Sequence, residues 1–243
     1  MKYEIDTHCH SIASGHAYNT ITEIMEAASQ RGLKMVGIAD HGPALPGGPH
    51  EYYFGNMKVL PNRMFGVDLL KGVEANIIDF DGTLDLSDER LRALDLVLAG
   101  YHMPCLIPGS EEENTRGMVA AIEHDLVDII VHPGNPVFPI DMEAVLEAAK
   151  KHDTLIEINN SSFGISRKGS EENCVKIAQL CKDMGVRVAV GSDSHYISFV
   201  GEFGKVDRIF NQIGMPEELV ANLSVGSFKE FLKSKGKARF ASG

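Results

Sequence analysis

The chain has 243 residues, 44% of them hydrophobic and 23% charged, which is typical of soluble globular proteins and excludes a disordered, collagen-like or disulfide-scaffold chain. Its 23 basic and 34 acidic residues give a net charge of −11, which argues against a surface that attracts nucleic acid or anionic lipid. No apolar run approaches the roughly 20 residues that cross a bilayer, and the N-terminus lacks the apolar core of a signal peptide. We therefore expect a cytoplasmic protein with no nucleic-acid or membrane partner.

Short aliphatic and β-branched runs alternate with longer amphipathic runs, a pattern that favours βα repeats around a mostly parallel sheet. Thr20 and Glu23 form the S/T-x-x-E pattern that begins a helix, and Asp141 begins another that extends to about Lys151. A further helix is predicted to begin at about Glu171. Seven strands are predicted, near residues 3–7, 35–39, 69–73, 95–100, 128–131, 154–158 and 187–191.

No linker, low-complexity tract or shift in composition separates these repeats, so we expect residues 1–243 to form one α/β domain. The Gly- and Pro-rich stretch from Gly42 to Gly55 is predicted to be a loop inserted on one rim, with His50 as a solvated residue of that loop. The four cysteines form no C-x-x-C pair and are expected to be reduced and mostly buried.

Histidines and acidic residues recur at the carboxyl ends of the predicted strands. In parallel β/α folds these ends meet at one edge, where functional groups collect because the loops there vary without disturbing the core. His124 and His152 instead precede strands, at the opposite end, and are expected to be structural. The candidates that share the carboxyl edge are His8, His10, His16, His41, Glu74, His102, His132, Asp193 and His195.

The spacing of these candidates favours metal binding over isolated structural roles. A strand sends alternate side chains to one side, so His8 and His10 face one cavity, as do Asp193 and His195. Glu74 supplies a carboxylate able to bridge two ions. Imidazole and carboxylate ligands suit Zn²⁺, Mn²⁺ or Fe²⁺, with zinc preferred. The sequence therefore predicts a polynuclear metal centre.

Four short motifs contain several of these candidates: D-x-H-x-H at residues 6–10, D-H-G at residues 40–42, G-x-E at residues 72–74 and S-D-x-H at residues 192–195. These motifs make the chain resemble the PHP (polymerase and histidinol phosphatase) metal-dependent phosphoesterases over almost its whole length. Residues 131–136 and 157–163 resemble the stand-alone YcdX-type phosphatases most closely.

The resemblance implies a distorted, seven-stranded (βα)₇ TIM-like barrel and three divalent metal ions. It implies that Glu74 bridges the first two metal sites. The implied first site is His8, His10, Glu74 and Asp193; the second Glu74, His102 and His132; the third His16, His41 and His195.

The expected activity is that of a phosphatase acting on a small phosphomonoester. Metal coordination lowers the pKa of water from about 15.7 toward roughly 7, so bound metals would supply a hydroxide able to attack phosphorus in line. Arg167 and Lys168, in the segment 166–170 that follows the sixth strand, are expected to bind the substrate phosphate. The order of residues in that segment does not match a Walker motif.

Three other functions remain open from the sequence. A phosphodiesterase or nuclease would use the same metal chemistry, although the charge of −11 and the absence of a basic stripe weaken it. A non-catalytic, metal-stabilised regulatory module is a second alternative, against which the intact ligand set counts. An amidohydrolase is the third, since those barrels also gather His and Asp at strand ends, but the full histidine set does not fit it.

Overall fold

A computed structural model of the chain describes residues 1–164 and 167–241. Seven parallel strands form a nearly closed barrel in the order β1-β2-β4-β5-β6-β7-β8, and the short β3 pairs antiparallel with β4. This confirms the predicted seven-stranded β/α barrel. The strands are β1 (Ile5–Cys9), β2 (Met35–Ile38), β3 (Arg63–Met64), β4 (Val67–Asn76), β5 (Leu96–Gly100), β6 (Ile129–Ile130), β7 (Leu155–Asn159) and β8 (Val188–Gly191).

Helices alternate with the strands and begin where the capping residues predict. Thr20 accepts the backbone N–H of Glu23 while the Glu23 side chain accepts that of Thr20, and Asp141 accepts two N–H groups of its helix. Within the described residues, no helix is both long and apolar enough to span a bilayer. The α-helices are α1 (Ile21–Gln30), α2 (Glu51–Asn56), α3 (Asp88–Arg92), α4 (Glu111–Glu123), α5 (Met142–His152), α6 (Ser170–Met184), α7 (Gly204–Ile213), α8 (Val225–Ser234) and α9 (Ala238–Ala241).

Some element bounds differ from the sequence prediction. Strand β4 extends to Asn76 because its end pairs with β5, so Glu74 lies within a strand instead of following one. The predicted rim loop 42–55 is wrong in its last part, where α2 begins. His50 caps that helix by accepting the N–H of Tyr52, and Phe54 is buried beneath it. This helix is hard to recognise in the sequence because it follows a Gly- and Pro-rich stretch, and because two of its six residues, Gly55 and Asn56, have low helix propensity.

The core has two layers. One lies between the sheet and the surrounding helices and includes Cys9, which faces away from the barrel axis as predicted. The other fills the barrel interior near the amino ends of the strands, where aliphatic side chains such as Ile5, Leu96 and Leu155 meet. Helix α8 closes that end of the barrel with Phe228, Phe231 and Leu232.

The barrel closes between β1 and β8 by a seam with few backbone hydrogen bonds. One parallel bridge joins Cys9 to Ser194 near the carboxyl ends. Lower down, the Asn222 side chain takes the place of strand pairing: its Nδ2 donates to the carbonyls of Ile5 (3.0 Å) and Val190 (2.7 Å). Its Oδ1 accepts the N–H of Val190 at 2.6 Å. The side chain therefore satisfies backbone groups on both edges.

Candidate metal centre

The structure brings all nine predicted residues together at the carboxyl ends of the barrel strands. Glu74 lies at the centre of the cluster and is fully buried. Its Oε1 faces Nε2 of His102 at 3.1 Å and of His132 at 2.7 Å. Its Oε2 faces Nδ1 of His41 at 2.8 Å and Nε2 of His8 at 3.3 Å. The two oxygens of one carboxylate thus face two groups of imidazoles, the arrangement that a bridging ligand requires.

A second group surrounds the imidazoles of the first motif. Nε2 of His8 lies 3.0 Å from Nε2 of His10. Oδ1 of Asp193 lies 3.1 Å from the Nε2 atom of His10 and 3.8 Å from that of His8. Side chains at alternate positions lie on the same side of the chain, so both histidines face the Asp193 carboxylate, as the spacing predicts.

A third group forms the outer part of the cluster. The Nε2 atoms of His16 and His195 are 3.0 Å apart, and the His41 ring stacks on that of His16 with centroids 5.1 Å apart. Nδ1 of His16 contacts the Ser14 carbonyl, and Nδ1 of His195 contacts the Asp193 carbonyl, both at 3.0 Å. Because Nδ1 donates in these contacts, Nε2 is left as the free ligand atom.

A hydrogen-bond network behind the cluster orients two further histidines. The Ser14 hydroxyl donates to Asp40 at 2.6 Å and contacts Nδ1 of His10 at 3.0 Å. The same hydroxyl oxygen accepts the backbone N–H of His41 at 3.2 Å. Tyr53 of α2 donates to the other Asp40 oxygen at 2.5 Å. The rim helix is therefore connected to the cluster through Asp40 and Ser14.

Glu157 of β7 also orients histidines of the cluster by hydrogen bonds. Its Oε1 contacts Nδ1 of His8 at 2.7 Å, and its Oε2 accepts the backbone N–H of His132 at 3.0 Å. Asn159 donates to Glu157 and to Oδ2 of Asp193, at 3.0 and 3.2 Å. A carboxylate on the outer nitrogen of a metal-binding histidine fixes the ring and its tautomer.

The backbone near the cluster is strained. His132 and Asp193 have φ of 36° and 53°, in the left-handed region that such residues rarely adopt. Gly191, at the end of β8, has no room for a side chain, because a Cβ would collide with Glu157 and with His8. These unfavourable backbone conformations and the close packing at Gly191 position side chains at the cluster, at a cost in backbone conformational energy.

Charge and burial at the cluster favour cations. Burial by itself raises the pKa of Glu74 and of Asp193, but neighbouring imidazoles, and the Arg167 guanidinium beside Asp193, hold both well below their usual range. Burial lowers the pKa of His10 well below its usual value and that of His132 to about 4. Ionised carboxylates and neutral imidazoles are the forms that bind divalent metals.

The donor atoms also fit bound metal ions. Oε2 of Glu74 and Oδ1 of Asp193 are buried carboxylate oxygens without a hydrogen-bond partner among the described residues. An ionised oxygen without any partner is costly to bury, and both oxygens point at imidazole nitrogens. Three sets of ligand atoms within 4.8 Å of one another are able to hold ions: His8, His10 and Asp193; His10, His41 and His195; His41, Glu74 and His102.

A cavity of about 1110 Å³ leads from the surface to the cluster. Arg167 lines it, and Nη1 of Arg167 donates to Oδ2 of Asp193 at 2.8 Å. Lys168 is exposed and is not among the described residues that line the cavity. Ser166, in the predicted basic segment, lies outside the described residues. His124 and His152 contact the exposed carboxylates Asp88 and Glu123 instead of the cluster.

Sequence reasoning assigned no role to Glu157, Asn159 or Ser14. The available signal for Glu157 was a carboxylate between two apolar residues, Ile156 and Ile158, in a predicted strand. A buried carboxylate needs a hydrogen-bonding partner, and the predicted histidines supply one. Ser14 gave no such signal, because its contacts depend on how the loop after β1 folds back towards β2.

The fold and site define a parallel β/α barrel whose strand ends hold a buried cluster able to bind several metal ions. A probable phosphatase of Caldanaerobacter subterraneus subsp. tengcongensis is 53% identical over 238 residues, 98% of this chain and 94% of the relative. A probable phosphatase of Clostridium botulinum (strain Langeland) is 52% identical over 239 residues, 98% of both chains. Histidinol phosphate phosphatase of Lactococcus lactis, solved with zinc, L-histidinol and phosphate, has a TM-score of 0.61 at 15% identity, covering 88% of this chain and 95% of that one.

The family model of the PHP domain matches residues 6–231, and the chain belongs to the PHP domain family. This confirms the resemblance drawn from the motifs. The predicted enzyme class is confirmed as well: the chain is a hydrolase that acts on phosphoric esters.

Proposed function

We propose that the chain hydrolyses a small phosphomonoester at a centre of three divalent metal ions, with zinc as the preferred ion. The observation that carries this proposal is the pair of buried carboxylate oxygens, on Glu74 and Asp193, that have no hydrogen-bond partner in the described part of the chain and face imidazole nitrogens. The histidinol phosphate phosphatase that shares the fold was solved with zinc and phosphate, and we extend that chemistry to this chain.

The nine ligands would divide among the ions as the family resemblance implies. Glu74 would bridge the first two ions, which agrees with its two oxygens facing separate groups of imidazoles. Bound divalent ions lower the pKa of water, polarise the phosphoryl group and neutralise its charge. The first group would be His8, His10, Glu74 and Asp193; the second Glu74, His102 and His132; the third His16, His41 and His195.

Residues around the ligands would prepare the site for that chemistry. Glu157 holds His8 and the backbone of His132, and Ser14 holds His10, so that the ligand nitrogens need not reorganise. Arg167 would place its guanidinium on the substrate phosphate at the mouth of the cluster, where a planar cation pairs with two oxygens at once. Lys168 would contribute only if its exposed ammonium turns towards the cavity.

The test is phosphate release from a panel of phosphomonoesters and phosphodiesters, with metal-loaded protein beside the same preparation stripped by chelator. Metal analysis of the loaded protein should give about three ions per chain. Turnover of monoesters that stops after chelation and returns with Zn²⁺ supports the proposal. Turnover of diesters alone would favour a phosphodiesterase, and no turnover in a chain with bound metal would favour a regulatory module.

A further inference from the structure

Two basic side chains on a wall of the cavity have no part in the proposed phosphate hydrolysis. Lys205 and Arg208 lie three residues apart on α7, and both line the cavity that reaches Arg167 and Asp193. Side chains three apart on a helix lie on the same face. In a chain with a net charge of −11, this wall is therefore locally positive.

The start of α7 is held in place relative to the metal centre. Oδ1 of Asn160 accepts the N–H groups of Lys205 (3.0 Å) and Val206 (3.3 Å). Asn159, the preceding residue, donates to Oδ2 of Asp193. The Lys205 ammonium also donates to the Phe163 carbonyl at 3.0 Å. A ligand bound to this wall would therefore be at a fixed distance from the cluster.

The charges of the two cations are not neutralised by their neighbours. Glu202, which lines the same cavity, pairs with Arg31 at 2.6 Å, and Asp207 pairs with the N-terminal ammonium of Met1 at 2.7 Å. Within the described part of the chain, Arg208 has no ion pair or hydrogen bond, and Lys205 has no ion pair. Cations that line a cavity and form no ion pair are able to bind an anion.

Leu45, Pro46, Met103 and Pro104 also line the cavity, and none of them carries a charge that competes with the two cations. The cavity, at about 1110 Å³, also has room for more than a phosphate and a short ester chain.

We propose that Lys205 and Arg208 bind a second oxyanion of the substrate, a phosphate or carboxylate several atoms from the phosphate that is hydrolysed. This inference rests on the proposed function, because it names the class of phosphomonoester that the same site takes.

Matched substrates test the proposal. Metal-loaded enzyme is assayed with fructose 6-phosphate and glucose 6-phosphate, which carry no second anion. It is assayed in parallel with fructose 1,6-bisphosphate, which adds a phosphate, and 6-phosphogluconate, which adds a carboxylate. We expect kcat/KM to be at least about tenfold higher for a substrate with the second anion, as charge-assisted hydrogen bonds would provide. Preference for the bisphosphate alone identifies a phosphate, and preference for the phosphogluconate alone a carboxylate.

The double variant Lys205→Gln with Arg208→Gln should lose that preference while kcat/KM on the two sugar monophosphates without a second anion stays within about twofold. Arg208→Lys should keep most of the preference. Lys176→Gln is the matched control, because it removes an exposed cation of α6 that does not line the cavity. Equal kcat/KM of the wild type on both kinds of ester, or a double variant that keeps the preference, would overturn the proposal.

The proposed hydrolysis and the proposed second anion site can be tested independently. If the wild type hydrolyses none of the four esters, calorimetric titration of the metal-loaded protein with fructose 1,6-bisphosphate and fructose 6-phosphate tests the subsite by itself. Tighter binding of the bisphosphate that the double variant loses supports the subsite. Equal affinity of the wild type for the two compounds refutes it.

Discussion

Near the amino ends of its strands, the barrel interior is filled by aliphatic side chains and sealed by Phe228 and Phe231 of α8. Near the carboxyl ends, the same strands present a buried cluster of histidines and carboxylates, in which Oε2 of Glu74 and Oδ1 of Asp193 have no hydrogen-bond partner among the described residues. Burying apolar surface stabilises the fold, whereas burying polar groups without partners opposes it. The comparison teaches that one end of the barrel supplies stability and the other uses part of it for binding.

Charged groups also behave differently at the two ends. At the amino end, Lys237 pairs with the buried Asp128 at 2.7 Å, and Arg239 pairs with Asp95 at the same distance. In each pair the two opposite charges neutralise each other, so neither side chain offers a net charge to a ligand. At the carboxyl end, burial lowers the pKa of His10, His16, His102 and His132, whereas neighbouring carboxylates raise that of His8. The four imidazoles with a lowered pKa are neutral at pH 7, so they leave negative charge on the carboxylates for cations to neutralise.

The largest effect is expected from replacing His8 and His10 together by Ala. Phosphate release should fall at least about a thousandfold, equivalent to ~4 kcal/mol of transition-state stabilisation, because the variant lacks two of the proposed metal ligands. Circular dichroism and thermal unfolding should show a folded chain, since the apolar end is untouched. The control replaces His124 and His152 by Ala and should keep its activity. Full turnover by the first variant would refute the site assignment.

At the opposite end, Phe228→Ala should destabilise the fold by about 3–5 kcal/mol, because it opens a cavity in a fully buried position. Urea unfolding gives the free energy, and kcat measured well below the unfolding midpoint should remain close to that of the wild type. Tyr18→Ala, which truncates an aromatic residue with 74% exposure, should change stability by less than about 1 kcal/mol. Comparable losses of stability in the two variants would contradict the role of α8.

Arg167→Ala should weaken substrate binding by about 1.5–3 kcal/mol, seen as a roughly ten- to hundredfold rise in KM with a smaller fall in kcat. The guanidinium pairs with Asp193 and lines the cavity, so its loss would remove the proposed contact to phosphate while leaving the nine proposed metal ligands in place. Arg167→Lys should recover part of the affinity, because the charge is kept but the planar fork is lost. Unchanged kinetics in the Ala variant would mean that Arg167 only neutralises Asp193.

Stability should fall as pH rises above about 9, because burial raises the pKa of the Cys181 thiol from its usual 9.0 to about 12. The unfolded chain loses this proton from about pH 9, whereas the folded chain keeps it until about pH 12. Between these values the unfolded state binds fewer protons, and each pH unit lowers the free energy of unfolding by up to about 1.4 kcal/mol. Urea unfolding at several pH values should give a flatter profile for Cys181→Ala. A profile as steep as that of the wild type would assign the alkaline loss to other groups.

The smallest effect is expected from Tyr53→Phe, which removes one hydrogen bond to Asp40 behind the cluster. Metal affinity should fall by several-fold, at the lower end of about 10–100-fold seen when direct partners of metal ligands are removed. Titration with a competing chelator measures it, and excess Zn²⁺ should restore kcat. Tyr52→Phe is the matched control, because Tyr52 lies on the same helix with 70% exposure. Equal metal affinity of both variants would show that α2 does not support the centre.

The sequence predicted the barrel and the nine clustered residues because both follow from short-range rules. Strands and helices show in the spacing of apolar residues, and parallel strands bring their carboxyl ends together whatever their exact length. Glu74 was correctly placed at the edge even though its strand is longer than predicted. The assignment of ligands to three ions remains a prediction, as do the single domain over residues 1–243 and the role of Lys168.

Contacts between distant elements could not be predicted. The Ser14 hydroxyl meets Asp40 and His41 only because a loop after β1 folds back onto the end of β2. The positive wall of the cavity needs the start of α7 to be held by Asn160, which no periodic pattern indicates. Such features depend on how distant segments pack against each other in the folded chain, and hydrophobic periodicity carries no information about that packing.

The seam between β1 and β8 has a consequence for how the protein is made. His8 and His10 leave the ribosome early, whereas Asp193, His195 and the seam residue Asn222 follow only near the end of translation. Barrel closure therefore waits for contacts between the first and last strands, which are the slowest kind to form. The nine clustered residues come together only after that closure, so the proposed metal centre would be completed at the end of folding. A chain that stops before β8 carries seven of the nine residues and lacks Asp193 and His195.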